Sequence, residues 1–224
     1  MKNQWLLFAG LIAGFFITTG IQAQEDQSES KFSAGADLYS NYIWRGTKLG
    51  IGPAVQPTVK FVTGGLTIGV WGSFDAQGYA EVDPYFSYAF KFGLSLGITD
   101  YYYPGLQFFE TSDTAGSHAF EINAGYTIKG LSLSANYILN EAGGAGSKGN
   151  DTYFQASYAF KHFSLVLGMG DGWHTSDGDF GICHLGIGTT KVIKITDTFS
   201  IPVTGQVILN PEREQLYVVV GFSF

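Results

Sequence analysis

The feature that most constrains this chain is a strict period-two alternation that recurs in short runs from Lys31 to Phe224. The first run, KFSAGADLYSNYIWRG over residues 31–46, is the longest statement of it. Phe32, Ala34, Ala36, Leu38, Tyr42 and Trp44 fall on one face, and Ser33, Gly35, Asp37, Tyr39, Asn41 and Arg45 on the other. A strand that crosses a bilayer at a tilt needs ~9–11 residues in hydrocarbon, apolar outward and polar toward a lumen. The run therefore predicts the first strand of an outer-membrane barrel over 31–45. Asp37, Asn41 and Arg45 are expected to point inward, and Tyr42 and Trp44 to sit on the outer face at the interface, where amphipathic rings settle.

The unit repeats. Residues 59–71 (VKFVTGGLTIGVW), 85–98 (YFSYAFKFGLSLGI), 120–137 (FEINAGYTIKGLSLSANY) and 153–169 (YFQASYAFKHFSLVLGM) each read as strand, tight turn and strand. These are β-hairpins. Joints within a hairpin are short, while connections between hairpins are longer and polar, the asymmetry of outer-membrane barrels. Counting gives twelve strands, at about 31–45, 54–63, 66–75, 79–90, 94–103, 117–128, 131–140, 151–160, 163–171, 181–195, 199–210 and 215–224. An even count places both termini in the periplasm. Ten strands is the competing count, because Pro57 and Pro202 each remove a ladder donor, and Pro84 raises the same question. The expected fold is an all-β, antiparallel, up-and-down transmembrane barrel.

One face of these strands is apolar throughout, as in Leu94, Leu96 and Ile98 or Leu216, Val218, Val220 and Phe222. A soluble domain does not expose so large an apolar band. The other face is polar, and from it Asp37, Asn41, Arg45, Lys60, Asp75, Glu81, Asp83 and Glu121 are the candidate lumen and selectivity residues. Inward glycines such as Gly69 and Gly168 are expected to leave space in a barrel wider than one its side chains can fill.

The N-terminus sets the compartment. Lys2, an apolar run over 5–17 and small residues up to Ala23 form a secretory signal peptide over 1–23, followed by a polar leader over 24–30 and the barrel over 31–224. The whole chain carries 12 basic and 19 acidic residues, a balance that argues against nucleic acid as a partner. The single Cys183 cannot form an internal disulfide and reads as a small apolar filler. No cofactor is expected.

Two resemblances add to this. The final run QLYVVVGFSF ends on Phe224, and an aromatic at the end of an alternating last strand resembles the signal read by the barrel assembly machinery. Asn41-Tyr42-Ile43-Trp44-Arg45-Gly46, followed by Gln56 and the turn at Thr63-Gly64-Gly65, resembles the opening of the TorF-like porin family. Trp44 stands where that family usually has Phe, and Thr47-Lys48-Leu49 replaces its Ser-rich segment. The resemblance implies an outer-membrane barrel and fixes no substrate or catalytic residue.

Arg45 admits two readings: a selectivity element near the extracellular end of the pore, or an interior salt bridge that fills the barrel. Asp75, Glu81 and Asp83 flank a short loop, where they would draw cations to the mouth or form a solvated rim. Asp171, Asp177 and Asp179 in one loop are a weak candidate for Ca²⁺, since their spacing does not match an EF-hand. His118 is expected to face outward, where some barrels carry a lipid hydrolase site, but no outward Ser adjoins it and there is no Gly-x-Ser-x-Gly. The expected role is passive passage of small hydrophilic solutes or ions across the outer membrane, with membrane lipid as the surrounding partner. A closed structural or adhesion barrel, acting through loops 104–116, 141–150 and 172–180, is the alternative. A lipid-modifying enzyme is the third reading.

Overall fold

The computed structural model describes residues 31–224; the signal peptide and leader expected over 1–30 lie outside the described residues. The strands, in chain order, are β1 (Lys31–Tyr39), β2 (Tyr42–Trp44), β3 (Thr47–Leu49), β4 (Ala54–Thr63), β5 (Leu66–Asp75), β6 (Ala80–Ala89), β7 (Leu94–Tyr102), β8 (His118–Ile128), β9 (Leu131–Ile138), β10 (Glu141–Ala142), β11 (Ser147–Lys148), β12 (Thr152–Ala159), β13 (Ser164–Gly170), β14 (Gly181–Lys194), β15 (Ser200–Asn210) and β16 (Gln215–Ser223). A single 3₁₀ turn at Gly172–His174 is the helical structure among the described residues.

Twelve strands close an antiparallel barrel in the order β1-β16-β15-β14-β13-β12-β9-β8-β7-β6-β5-β4, with β4 returning to β1. The ten-strand alternative falls away, because the three proline-bearing strands all pair on both sides. At one end the strands join through tight turns at 64–65, 90–93, 129–130, 160–163 and 195–199. The Thr63↔Leu66 pair is closed by Gly64 and Gly65, both at positive φ (55° and 94°), the geometry that two-residue hairpins require. At the other end lie six loops: L1 (40–53), L2 (76–79), L3 (103–117), L4 (139–151), L5 (171–180) and L6 (211–214).

The pleat sorts side chains as the alternation predicts. Ile68, Val70 and Phe74, Leu96 and Ile98, Leu165 and Leu167, and Val218, Val220 and Phe222 are exposed on the outside of the wall. Gln56, Ser73, Glu81, Asp83, Glu121, Asn136, Ser157, His184 and Thr204 are buried on the inside. One irregularity adds to the inner wall: the β13–β14 register slips at Gly168/Met169, so that Cys183 and His184 are both buried. The Cys183 thiol sits against the Gly168 carbonyl, in keeping with a filler.

The first strand departs from expectation. It leaves the barrel at Tyr39, six residues before Arg45, and the chain bends at Ser40–Asn41. Tyr42–Trp44 then pairs with Thr47–Leu49 as a small hairpin, separate from the barrel sheet. Asn41 and Arg45 are therefore loop residues, and only Asp37 of the three belongs to the barrel strand. Tyr42 and Trp44 are not an outer belt: both are buried in the barrel's main interior cluster, with Tyr101, Ala119 and Ile138 from the wall. The reason is length. Residues 31–39 already meet ~9–11 spanning residues, and the alternation beyond them belongs to a hairpin folded inward.

Candidate functional site

The inward hairpin of L1 builds the site. Arg45 and Gly46 occupy its two-residue turn at φ 49° and 85°, the type I′ pattern that matches strand twist. Gly46 is required by contact as well, since a Cβ there would run into the carbonyl of Cys183 on β14. Its carbonyl accepts a hydrogen bond from Asn210 Nδ2 on β15 at 3.1 Å. Arg45 is not a glycine, and its left-handed backbone conformation costs about 1–3 kcal/mol unless the surroundings hold it.

What holds it is Glu121 of β8. Arg45 Nη1 donates to Oε1 at 2.6 Å and Nη2 to Oε2 at 2.7 Å, a two-pronged pair with side chains 3% and 1% exposed. Tyr101 and Asn123 also donate to Glu121 Oε2, at 3.0 and 2.6 Å. The guanidinium carbon lies 4.8 Å from the Trp44 ring centre and 4.5 Å from that of Tyr153, cation–π distances in a dry setting. Burial works against the charge on Arg45, yet Glu121 outweighs it and holds the guanidinium above its ordinary pKa. His174 of L5 completes the ring, its Nε2 3.4 Å from Arg45 Nη1. Burial, with Arg45 beside it, pushes His174 well below the usual histidine range, so it is neutral. A neutral ring that accepts at Nε2 carries its proton on Nδ1, which finds no acceptor.

Above this pair the loops form a lid. Trp44 packs edge-on against Tyr101 and Trp173, with centroids 5.6 and 6.0 Å apart. Trp173 donates to the Gly146 carbonyl of L4 at 2.6 Å, and its backbone N–H to Asp151 at 3.0 Å. Arg213 of L6 donates to the Thr175 carbonyl at 3.0 Å. On the other flank Tyr42 packs against Trp71 and Tyr79. The lumen is thus sealed at the loop end by L1, with L4, L5 and L6 over it. Toward the turn end the inner wall stays polar and partly exposed, at Thr58, Lys60, Tyr85, Asn123, Gln155, Thr190 and Gln206.

The other sequence candidates separate. Asp37 faces the lumen on β1, opposite Ser223. Lys60 lines the partly exposed half of the lumen. Asp75 is a loop clasp: its carboxylate accepts the N–H groups of Ile51, Gly52, Gln77 and Tyr79 at 2.8–3.4 Å, tying the return of L1 to L2. Glu81 and Asp83 are no solvated rim, for both are fully buried under Tyr42 and Tyr79. Asp171 holds the backbone and hydroxyl of Thr152, and Asp177 accepts from the Asp179 backbone. Among the described residues no three His, Cys, Asp or Glu side chains converge as a metal-binding group. The inner glycines leave less space than expected, because Tyr85 lies over Gly69 and Tyr153 over Gly168.

His118 does face outward, but it is covered. Its Nδ1 meets Asp100 at 2.8 Å and its Nε2 the Phe108 carbonyl at 2.5 Å, with Tyr102, Phe108 and Phe120 around the ring. A serine hydrolase needs that second nitrogen for its nucleophile; here it clamps L3 to the wall. Tyr101, Tyr153 and His174 escaped the sequence reading as partners of Arg45. For the two tyrosines a signal existed, since they share the inner face with Thr99 and Gln155.

These features define a closed twelve-strand antiparallel barrel with a polar interior plugged by its own first loop. Residues 23–194 match the family described as a bacterial protein of unknown function (Gcw_chp), and the chain belongs to that family. No curated protein matches. Among solved structures it is similar to a mutant of the Rh. blastica porin, with 15% identity, a TM-score of 0.43, and coverage of 76% of this chain. The chain spans about half (55%) of that porin's length.

Proposed function

We propose that this protein is an outer-membrane channel for small hydrophilic solutes or ions, closed at rest by the L1 hairpin. The observation that carries this reading is the inner wall: polar, and partly exposed toward the turn end, beneath a plug that one ion pair fastens to β8. The apolar outer band supports the membrane setting, since strands of 7–14 residues with such a face match a bilayer-spanning wall. The resemblance of Asn41–Gly46 to TorF-like porins fits the same role. In this reading the short turns and both termini are periplasmic, and Phe224, exposed at the end of the last strand, addresses the assembly machinery. The chemistry is passage, not catalysis.

A closed barrel that acts through its loops is the second reading, favoured by the complete burial of Arg45 and Glu121. Planar bilayers separate the two. A channel gives rare, brief conductance steps that become frequent in Glu121→Gln. A barrel that is folded, by heat-modifiable gel migration, and silent in both forms overturns the channel.

A further inference from the structure

Glu81 and Asp83 stand two residues apart on β6, so they share the inner face with Cα atoms about 7 Å apart. Both side chains are fully buried. Glu81 accepts the Tyr79 hydroxyl at 2.8 Å and a second hydrogen bond from Tyr42. Asp83 differs: among the described residues no side chain donates to its carboxylate, and only the Tyr102 backbone approaches it from β7. Among the described residues no Lys, Arg or His forms an ion pair with either carboxylate, and the nearby Arg45 is committed in both prongs to Glu121. Buried carboxylates without a counter-charge are costly by several kcal/mol, a cost relieved by taking up protons or by a cation, and two of them on one face are placed to share one cation.

The surrounding donors name the class of cation. Ser73 of β5 lies directly opposite Glu81 and is itself fully buried. With the Tyr42 and Tyr79 hydroxyls, the donors on the Glu81 side are oxygens, the preference of hard cations, while Trp71 lies opposite Asp83. We propose that Glu81 and Asp83 form a binding site for a hard divalent cation of the Ca²⁺ class inside the barrel, beside the L1 plug. Two carboxylates balance one divalent charge, and the ion ties β6 to the tyrosine that L1 inserts. The site stands apart from conduction: a barrel that binds the ion and is silent in bilayers rejects the channel and keeps the site.

The test uses the full mature barrel refolded in detergent, with Tb³⁺ as probe, because Tyr42, Tyr79 and Trp71 are placed to sensitise its luminescence. Saturable emission that Ca²⁺ displaces is expected. Affinity falls about tenfold or more in Asp83→Asn and in Glu81→Gln, since the charge of the ligand set governs Ca²⁺ sites. The double variant Asp177→Asn/Asp179→Asn keeps the wild-type signal. Heat-modifiable migration checks the fold of each variant. If Asp83→Asn does not fold, the wild type decides by its unfolding temperature, which Ca²⁺ raises over chelator. No saturable emission, or emission lost in the L5 double variant and kept in Asp83→Asn, overturns the site; so does an unfolding temperature indifferent to Ca²⁺.

Discussion

Replacing Glu121 by Gln keeps shape and most hydrogen bonding but removes the charge that Arg45 faces. Both partners are almost wholly buried, at 3% and 1% exposure, so the guanidinium is left desolvated with no carboxylate. Breaking a buried pair from one side costs about 3–5 kcal/mol. The cost falls on the closed plug, because a released L1 returns Arg45 to water. At about 1.4 kcal/mol per tenfold, the ratio of released to closed plug rises by about two to three and a half orders of magnitude. Tyr42, Ile43 and Trp44 still favour closure, each contributing about 1.5–3 kcal/mol by burial, so the variant is mostly closed and opens often. Trypsin reads this directly, since Arg45 is shielded in the closed state and cleavable once L1 is free. Cleavage after Arg45 should accelerate about a hundredfold or more, with conductance steps becoming frequent. Arg45→Met/Glu121→Leu removes both charges and should close the plug again, as apolar replacement of buried pairs is often neutral or stabilising. Unchanged cleavage and unchanged conductance in Glu121→Gln would refute the latch.

Acid should loosen the same plug. The closed state keeps His174 neutral, whereas a released L5 exposes it with an ordinary pKa of about 6.5. The groups that face it are Arg45, with Glu121 behind, and the rings of Trp44 and Tyr153. Stability of the closed state is therefore full above about pH 6.5 and falls by up to about 1.4 kcal/mol per unit below it, until the depressed pKa is reached. Channel opening should increase from pH 7 to 5, and His174→Gln should flatten that response. In Gly168→Ala the new methyl meets the Tyr153 hydroxyl and disturbs the ring over Arg45, so the folded band should melt earlier, by about 1–3 kcal/mol of stability. In His118→Ala, L3 loses its clamp to Asp100 and the Phe108 carbonyl. Chymotrypsin should then cut at Phe108–Phe109 faster, with heat-modifiable migration unchanged.

Eleven barrel strands were legible almost residue for residue, because each is a local pattern: alternation fixes the face and a tight turn fixes the end. Even the proline-bearing strands obey it, as Val192↔Pro202 and Ala36↔Pro57 pair within the ladder. The first strand misled for the same reason. Tyr42–Trp44 continues the alternation of Lys31–Tyr39, so periodicity could not tell a longer strand from a hairpin folded back inside. The marks of the turn were present in Ser40–Asn41 and in Gly46, but they are weak beside an unbroken pattern. The candidate site was legible as a list of inward polar residues, including both Arg45 and Glu121, and not as a set of pairs. A twelve-strand wall, its apolar outside and its polar inside can thus be read from the residues alone, since those follow from pleat and period. The rest is tertiary: Arg45 meets a carboxylate 76 residues away, Glu81 and Asp83 are buried inside the barrel, and L1 covers the loop end of the lumen. Those outcomes depend on which way one loop turns at the rim, a choice made by contacts across the barrel that no local pattern encodes.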